Sequence, residues 1–114
     1  MNRRNKVILI VILLVLTITP LIGYIMASSS DPFQHSKNVI DNSSALKEIV
    51  GDIKSVKLSP FGYSVKYIGS HGWAEFEVNV VGTKNSGVLF IKLEKDLGIW
   101  NVLGANLNQK DIKL

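Results

Sequence analysis

The sequence predicts an α+β protein: a single N-terminal transmembrane helix, then a small domain of one or two short helices packed on a mostly antiparallel, roughly five-stranded sheet. Three observations predict it. A charge-free apolar run fills Val7–Met26. A short stretch with helical start and stop signals follows between Asp31 and Gly51. From Ile53 onward the chain alternates polar and apolar residues between glycine-bearing turns, and no break is long enough for a crossover.

Residues 1–6 (MNRRNK) form a basic tail with no acid in it. The run that follows is 20 residues long, which at 1.5 Å per residue is about 30 Å, the thickness of a bilayer core. Positive charge before the run and none close after it predicts a cytoplasmic N-terminus and a domain outside. Pro20 lies within the run, where a membrane tolerates the kink it causes better than water does. The rival reading is a cleaved signal peptide, with Val7–Thr19 as its apolar core and Ala27-Ser-Ser as its cleavage region. The apolar stretch continues through Met26, longer than a usual signal core, so the expectation is an uncleaved anchor over residues 7–26. Six residues are too few for an amphipathic presequence. A bacterial inner membrane with a periplasmic domain is therefore expected, a mitochondrial inner membrane being the alternative.

Residues 27–32 are expected to be a linker. Asp31-Pro32 carries the signature of a helix start, and Phe33, Val39 and Ile40 give its apolar stripe. Ser43 or Ser44 can cap a second helix in which Ala45, Leu46, Ile49 and Val50 are apolar and Gly51 closes. Ile53–Leu58 is the first strand, and Lys54 and Lys57 mark it as an edge. After Pro60, the alternation from Phe61 to Tyr67 predicts a second. The cleanest period of two belongs to Trp73–Val81. Val88–Lys95 is apolar on both sides at its start, which predicts a strand covered on both faces. Ile99–Leu107 is the last strand, with Ile99, Leu103, Ala105 and Leu107 opposite Trp100, Val102 and Asn106. The domain is expected over residues 33–108, with 109–114 a flexible tail.

The composition excludes several function classes. There is no cysteine, hence no disulfide, thiolate metal site or cysteine nucleophile. The net charge of +4 arises mostly in the basic tail: without Arg3, Arg4 and Lys6, 10 lysines face 9 acids. A nearly neutral, sign-mixed domain has no electrostatic footprint for nucleic acid. The two histidines, His35 and His71, have no neighbouring cluster of ligands, so no metal is expected. Gly82-Thr-Lys-Asn-Ser-Gly87 has the outline of a phosphate loop, but Val88-Leu89 stand where Lys-Ser/Thr should follow and a strand replaces the helix. It is expected to be a hairpin turn whose glycines supply positive φ. No nucleophile context is recognisable, so no enzyme and no cofactor are expected.

The remaining candidates are Trp73, Glu75 and Glu77, which alternation places together on one sheet face. The glutamates could do acid–base chemistry in a cleft, but alternation with Ala74, Phe76 and Val78 predicts a solvated face. An exposed tryptophan can anchor a partner protein. Trp100 is as readily explained by packing beneath a helix.

Several turn and strand residues also carry a resemblance. They are Ala45-Leu46 and Val50-Gly51 in the helical part, then Gly72-x-Ala74, Val80-x-Gly82, Gly87-x-Leu89, and Gly98-Ile-Trp100 followed by Leu103 and Leu107. Over about Asp31–Leu107 the chain resembles the cytochrome c oxidase assembly factor 1 family, related to the regulatory Tim-type subunit of the mitochondrial presequence translocase. The resemblance implies a membrane-tethered, non-enzymatic domain that binds membrane-protein partners, cytochrome c oxidase subunits among them, and assists assembly or stability of that respiratory complex. It implies no catalytic residue. The alternative from another class is a small-ligand-binding envelope domain whose curved sheet encloses a pocket.

Overall fold

The computed structural model describes residues 2–114. A long helix, α1 (Arg3–Ser28), leads into two short ones, α2 (Asp31–Asp41) and α3 (Ser44–Val50). Five strands follow: β1 (Ile53–Ile68), β2 (His71–Gly82), β3 (Ser86–Asp96), β4 (Ile99–Leu107) and β5 (Lys110–Ile112). They form one antiparallel sheet in sequence order, a meander. The α+β architecture expected from the sequence is the one observed.

The helix α1 runs unbroken through Pro20. Thr17 and Thr19 turn their hydroxyls back on the carbonyls of Leu13 and Val15, both at 2.8 Å. Their polar groups are thus satisfied within the helix. From Val7 to Ile22 every residue is exposed. Then the character changes: Gly23 and Tyr24 are half-buried and Ala27 is buried in the domain core.

The expected linker 27–32 is therefore mostly helix. Only Ser29 and Ser30 separate α1 from α2, and Ser30 donates its hydroxyl hydrogen to Ala27 O at 2.6 Å. Pro32 sits in the first turn of α2, where its missing N–H costs nothing. Ser43 caps α3 by accepting from Leu46 N at 3.2 Å, and Gly51 ends it at φ +84°. Phe33 and Ile40 from α2, with Leu46 and Val50 from α3, are buried against one face of the sheet. Phe33 meets Phe76 of β2 edge-to-face, with ring centroids 5.4 Å apart.

Four expectations about the strands change. The two lead-in strands are one: β1 continues through Pro60 by a bulge. Between the pairs Leu58–Val78 and Tyr63–Phe76, β1 advances five residues while β2 advances two. The surplus of three is odd and reverses the alternation, so both Leu58 and Tyr63 lie on the helix-bearing side, and Phe61 is left 86% exposed. In β4 a one-residue shift opposite Lys92–Leu93 leaves Leu103 without a partner. Trp100 and Val102 consequently share a face with Ala105 and Leu107, while Leu103 is 60% exposed.

The supposed flexible tail supplies β5, whose Ile112 pairs with Ala105. Ile112 and Leu114 both pack on the core. Finally, β3 is covered on one face only: Leu89, Ile91 and Leu93 are buried, and Phe90 is 43% exposed.

Candidate functional site

The sheet has one face under helices and one without. On the bare face the register sets side chains in cross-strand rows. Lys66, Trp73, Glu94 and Asn101 make one row, and Ser64, Glu75, Lys92 and Gly104 the next. The third passes from Glu77 through Phe90 to Asn106. Trp73, Glu75 and Glu77 are thus on one surface, as alternation predicts, and Trp73 is 42% exposed.

Their roles differ locally. Glu75 pairs with Lys92 across the strands at 3.7 Å, an exposed contact of small energetic weight. Glu77 is half-buried and lies over Gly62 in the β1 bulge, where a Cβ would stand 2.6 Å from Glu77 Cβ. Gly62 is required there for close approach. Phe90 stands opposite Glu77, and sequence reasoning missed it because Val88–Phe90 reads as apolar on both sides. The signal that could have found it is parity: Phe90 alternates in step with Lys92 and Glu94, as surface positions do.

Between Phe61, Glu77, Phe90 and Lys92 lies a depression of about 350 Å³. It lies on the open face, bordered also by Gly62 and Glu75. The space between the helices and the sheet is filled by close-packed side chains, with Phe76, Leu89 and Ile91 fully buried. Enclosure of a small molecule needs walls on most sides.

Trp100 is 7% exposed and on the helix-bearing face, edge-on to Tyr67 at 6.0 Å, with Lys95 Nζ over both rings. It is a core residue. His71 opens β2 and places Nδ1 3.5 Å from Asp96 Oδ1, both exposed. Among the described residues, no three His, Asp or Glu side chains converge as metal ligands would.

The hairpin 82–87 has a structural task that the phosphate-loop and turn readings do not give it. Val50 O, at the end of α3, accepts from Lys84 N at 2.7 Å and Asn85 N at 3.1 Å. Asn85 Nδ2 reaches Ile49 O at 3.0 Å, and Thr83 exchanges two bonds with the backbone of Asp52. The loop caps the C-terminus of α3, satisfying carbonyls a helix end leaves free. Neither Gly82 nor Gly87 has positive φ, contrary to expectation. Gly82 is needed because Val50's backbone lies against it, whereas Gly87 meets only the side-chain ends of Leu107 and Asn108.

No protein-family model, curated protein or solved structure matches this chain. What fold and surface define is a class: an α+β meander domain with one bare sheet face, carrying an N-terminal helix long and apolar enough to cross a membrane.

Proposed function

We propose that this chain is a single-pass membrane protein that holds its domain outside the cytoplasm and binds another membrane protein through the bare face of its sheet, without catalysis. The carrying observation is that face. Trp73 and Phe90 stand half-exposed on it in separate rows, with the Glu75–Lys92 pair between them and Glu77 beside Phe90. Interfaces concentrate binding energy in such aromatic residues.

Two observations support an uncleaved anchor over a signal peptide. The last turns of α1 are part of the domain, with Ala27 in the core and Tyr24 packed on it. The region a signal peptidase would cut is helical through Ser28 and hydrogen-bonded beyond it. Arg3, Arg4 and Lys6 before the apolar run favour a cytoplasmic N-terminus. The setting we propose is a bacterial inner membrane with a periplasmic domain.

The first partner to test is a cytochrome c oxidase under assembly, a choice that rests on the resemblance alone. The experiment places a photo-crosslinking residue at Trp73 or Phe90, and as a control at exposed Lys47 on α3, in native membranes. Specific adducts from the sheet positions alone, identified by mass spectrometry as oxidase subunits, would bear out both parts. Specific adducts with another membrane protein would keep the binding role and remove the oxidase. No adduct from a correctly folded protein would remove the binding role and favour a small ligand.

A further inference from the structure

The anchor leaves the domain over the edge strand β1, and that strand has an unusual composition. Gly23 of α1 lies against the Tyr63 hydroxyl in the middle of β1. Gly23 is three residues inside the apolar run that ends at Met26, about 4.5 Å of helix rise. If α1 spans a bilayer, the centre of β1 therefore stands at the boundary between acyl chains and headgroups. The inference rests on that reading of α1.

From Ile53 to Ser70 the chain holds none of its nine acids, while it holds Lys54, Lys57 and Lys66. The nearest carboxylates come from other elements: Glu77 of β2 over Gly62 in the bulge, Glu75 of β2 opposite Ser64 and paired with Lys92, Asp41 of α2 beside Lys37, Lys54 and Lys57, and Asp52 just before the strand. At the bulge Phe61 is 86% exposed, at the rim of the depression on the bare face, and Pro60 beside it is exposed. An aromatic side chain kept almost wholly in water is costly, whereas aromatic residues favour the membrane interface.

Another chain's strand is a poor occupant for this edge. Pro60 offers no N–H, the bulge breaks the register, and lysines repel a flat neighbour. A lipid surface needs no register and is drawn to the lysines by charge.

We propose that β1 rests on the membrane surface, with the Ser59–Gly62 bulge seated in the headgroup region by Phe61 and Lys54, Lys57 and Lys66 meeting anionic phospholipid headgroups. The domain is then held by its edge as well as by its anchor. Its sheet stands on the membrane, and the bare face is presented sideways to a neighbouring membrane protein.

The absence of cysteine makes the test direct. Single spin labels are placed by Ser59→Cys, Phe61→Cys, Val15→Cys and Asp111→Cys in the full chain, reconstituted in vesicles of phosphatidylcholine with or without phosphatidylglycerol. Collisions with lipid-soluble oxygen and with an aqueous nickel chelate report depth. The expected result is lipid contact at Val15, interfacial depth at positions 59 and 61, and water at 111. Interfacial depth should increase with phosphatidylglycerol and lose that dependence in the Lys54→Gln, Lys57→Gln, Lys66→Gln triple variant. Water at 59 and 61 with lipid at Val15 would overturn the proposal and leave the anchor standing. Water at Val15 would remove the anchor reading itself. Shielding of 59 and 61 from both reagents would mean a protein cover, a second copy included, and would also overturn it. Unchanged depth in the triple variant would remove the lysines' part.

Discussion

A methyl group on Gly23 would stand 2.6 Å from the hydroxyl oxygen of Tyr63, 40 positions further along the chain. The long helix α1 and the sheet touch here directly. A side chain at 23 must either push the tyrosine ring away or lift α1 off β1.

Gly23→Leu should therefore undock the end of α1 from the domain, at a cost of about 1–3 kcal/mol as in other overpacked contacts. Protease cleavage near Ser29–Ser30 in detergent should speed up accordingly, since a loosened Ala27 exposes that junction. Adding Tyr63→Ala to Gly23→Leu should restore part of the protection. If Gly23→Leu cleaves like the parent chain, the contact does not hold the two parts together.

The second prediction concerns the clamp on α3. Val50's backbone packs against the place a Cβ of Gly82 would occupy, and its carbonyl takes two N–H groups from the loop that Gly82 opens. Backbone cannot swing aside as a side-chain end can. Gly82→Ala should lower stability by about 1–3 kcal/mol, seen as a lower thermal midpoint. Gly98→Ala is a useful contrast. Nothing lies within 4 Å of its Cβ position, so its cost comes from φ +83° alone.

The two tryptophans should separate stability from binding. Trp100 is packed in the core, and Trp100→Ala should cost about 3–5 kcal/mol. Trp73 has a bare-face position, and Trp73→Ala should stay within about 1 kcal/mol of the parent. On the proposed function, Trp73→Ala and Phe90→Ala should weaken partner crosslinking while the unfolding curve barely moves. A large loss of stability in Trp73→Ala would make it a structural residue and would undo its selection as an anchor.

Local pattern carried the parts of this fold that depend on near neighbours. The caps at Ser43 and Gly51, the hairpin turns, and the alternation that puts Trp73, Glu75 and Glu77 together all arise within a few residues. What alternation cannot carry is a change of phase. Counting in twos puts Leu103 on the face of Leu107, and one extra residue opposite Lys92–Leu93 reverses the count. Pro60 reads as a break between two strands, although the chain re-enters the same ladder beyond it. Phe90 is hidden in the sequence by its apolar neighbours Leu89 and Ile91. The docking of Gly23 on Tyr63 joins segments whose separate patterns, a membrane-like run and a half-buried strand, hold no mark of each other.

The last prediction concerns β5, which a three-residue strand is too short to announce. It pairs with Ala105, Asn106 and Leu107, and places Ile112 and Leu114 against the core. Removing residues 109–114 would therefore uncover the apolar surface beneath them and leave the second half of β4 paired with β3 alone, its outer edge open. Two partly buried side chains and a short ladder together are worth about 2–4 kcal/mol, taking about 25 cal/mol per Å² of apolar area and about 1 kcal/mol per hydrogen bond. Ile99 and Leu103 already stand exposed on β4, so an unpaired edge there would be apolar and open to strand addition. The truncated protein should melt at lower temperature and form larger species in detergent by light scattering. Ile112→Asp in the full chain should reproduce the loss of stability, because a carboxylate cannot be placed where that side chain packs. A truncated chain that melts like the parent would mean that β5 decorates the sheet without supporting it.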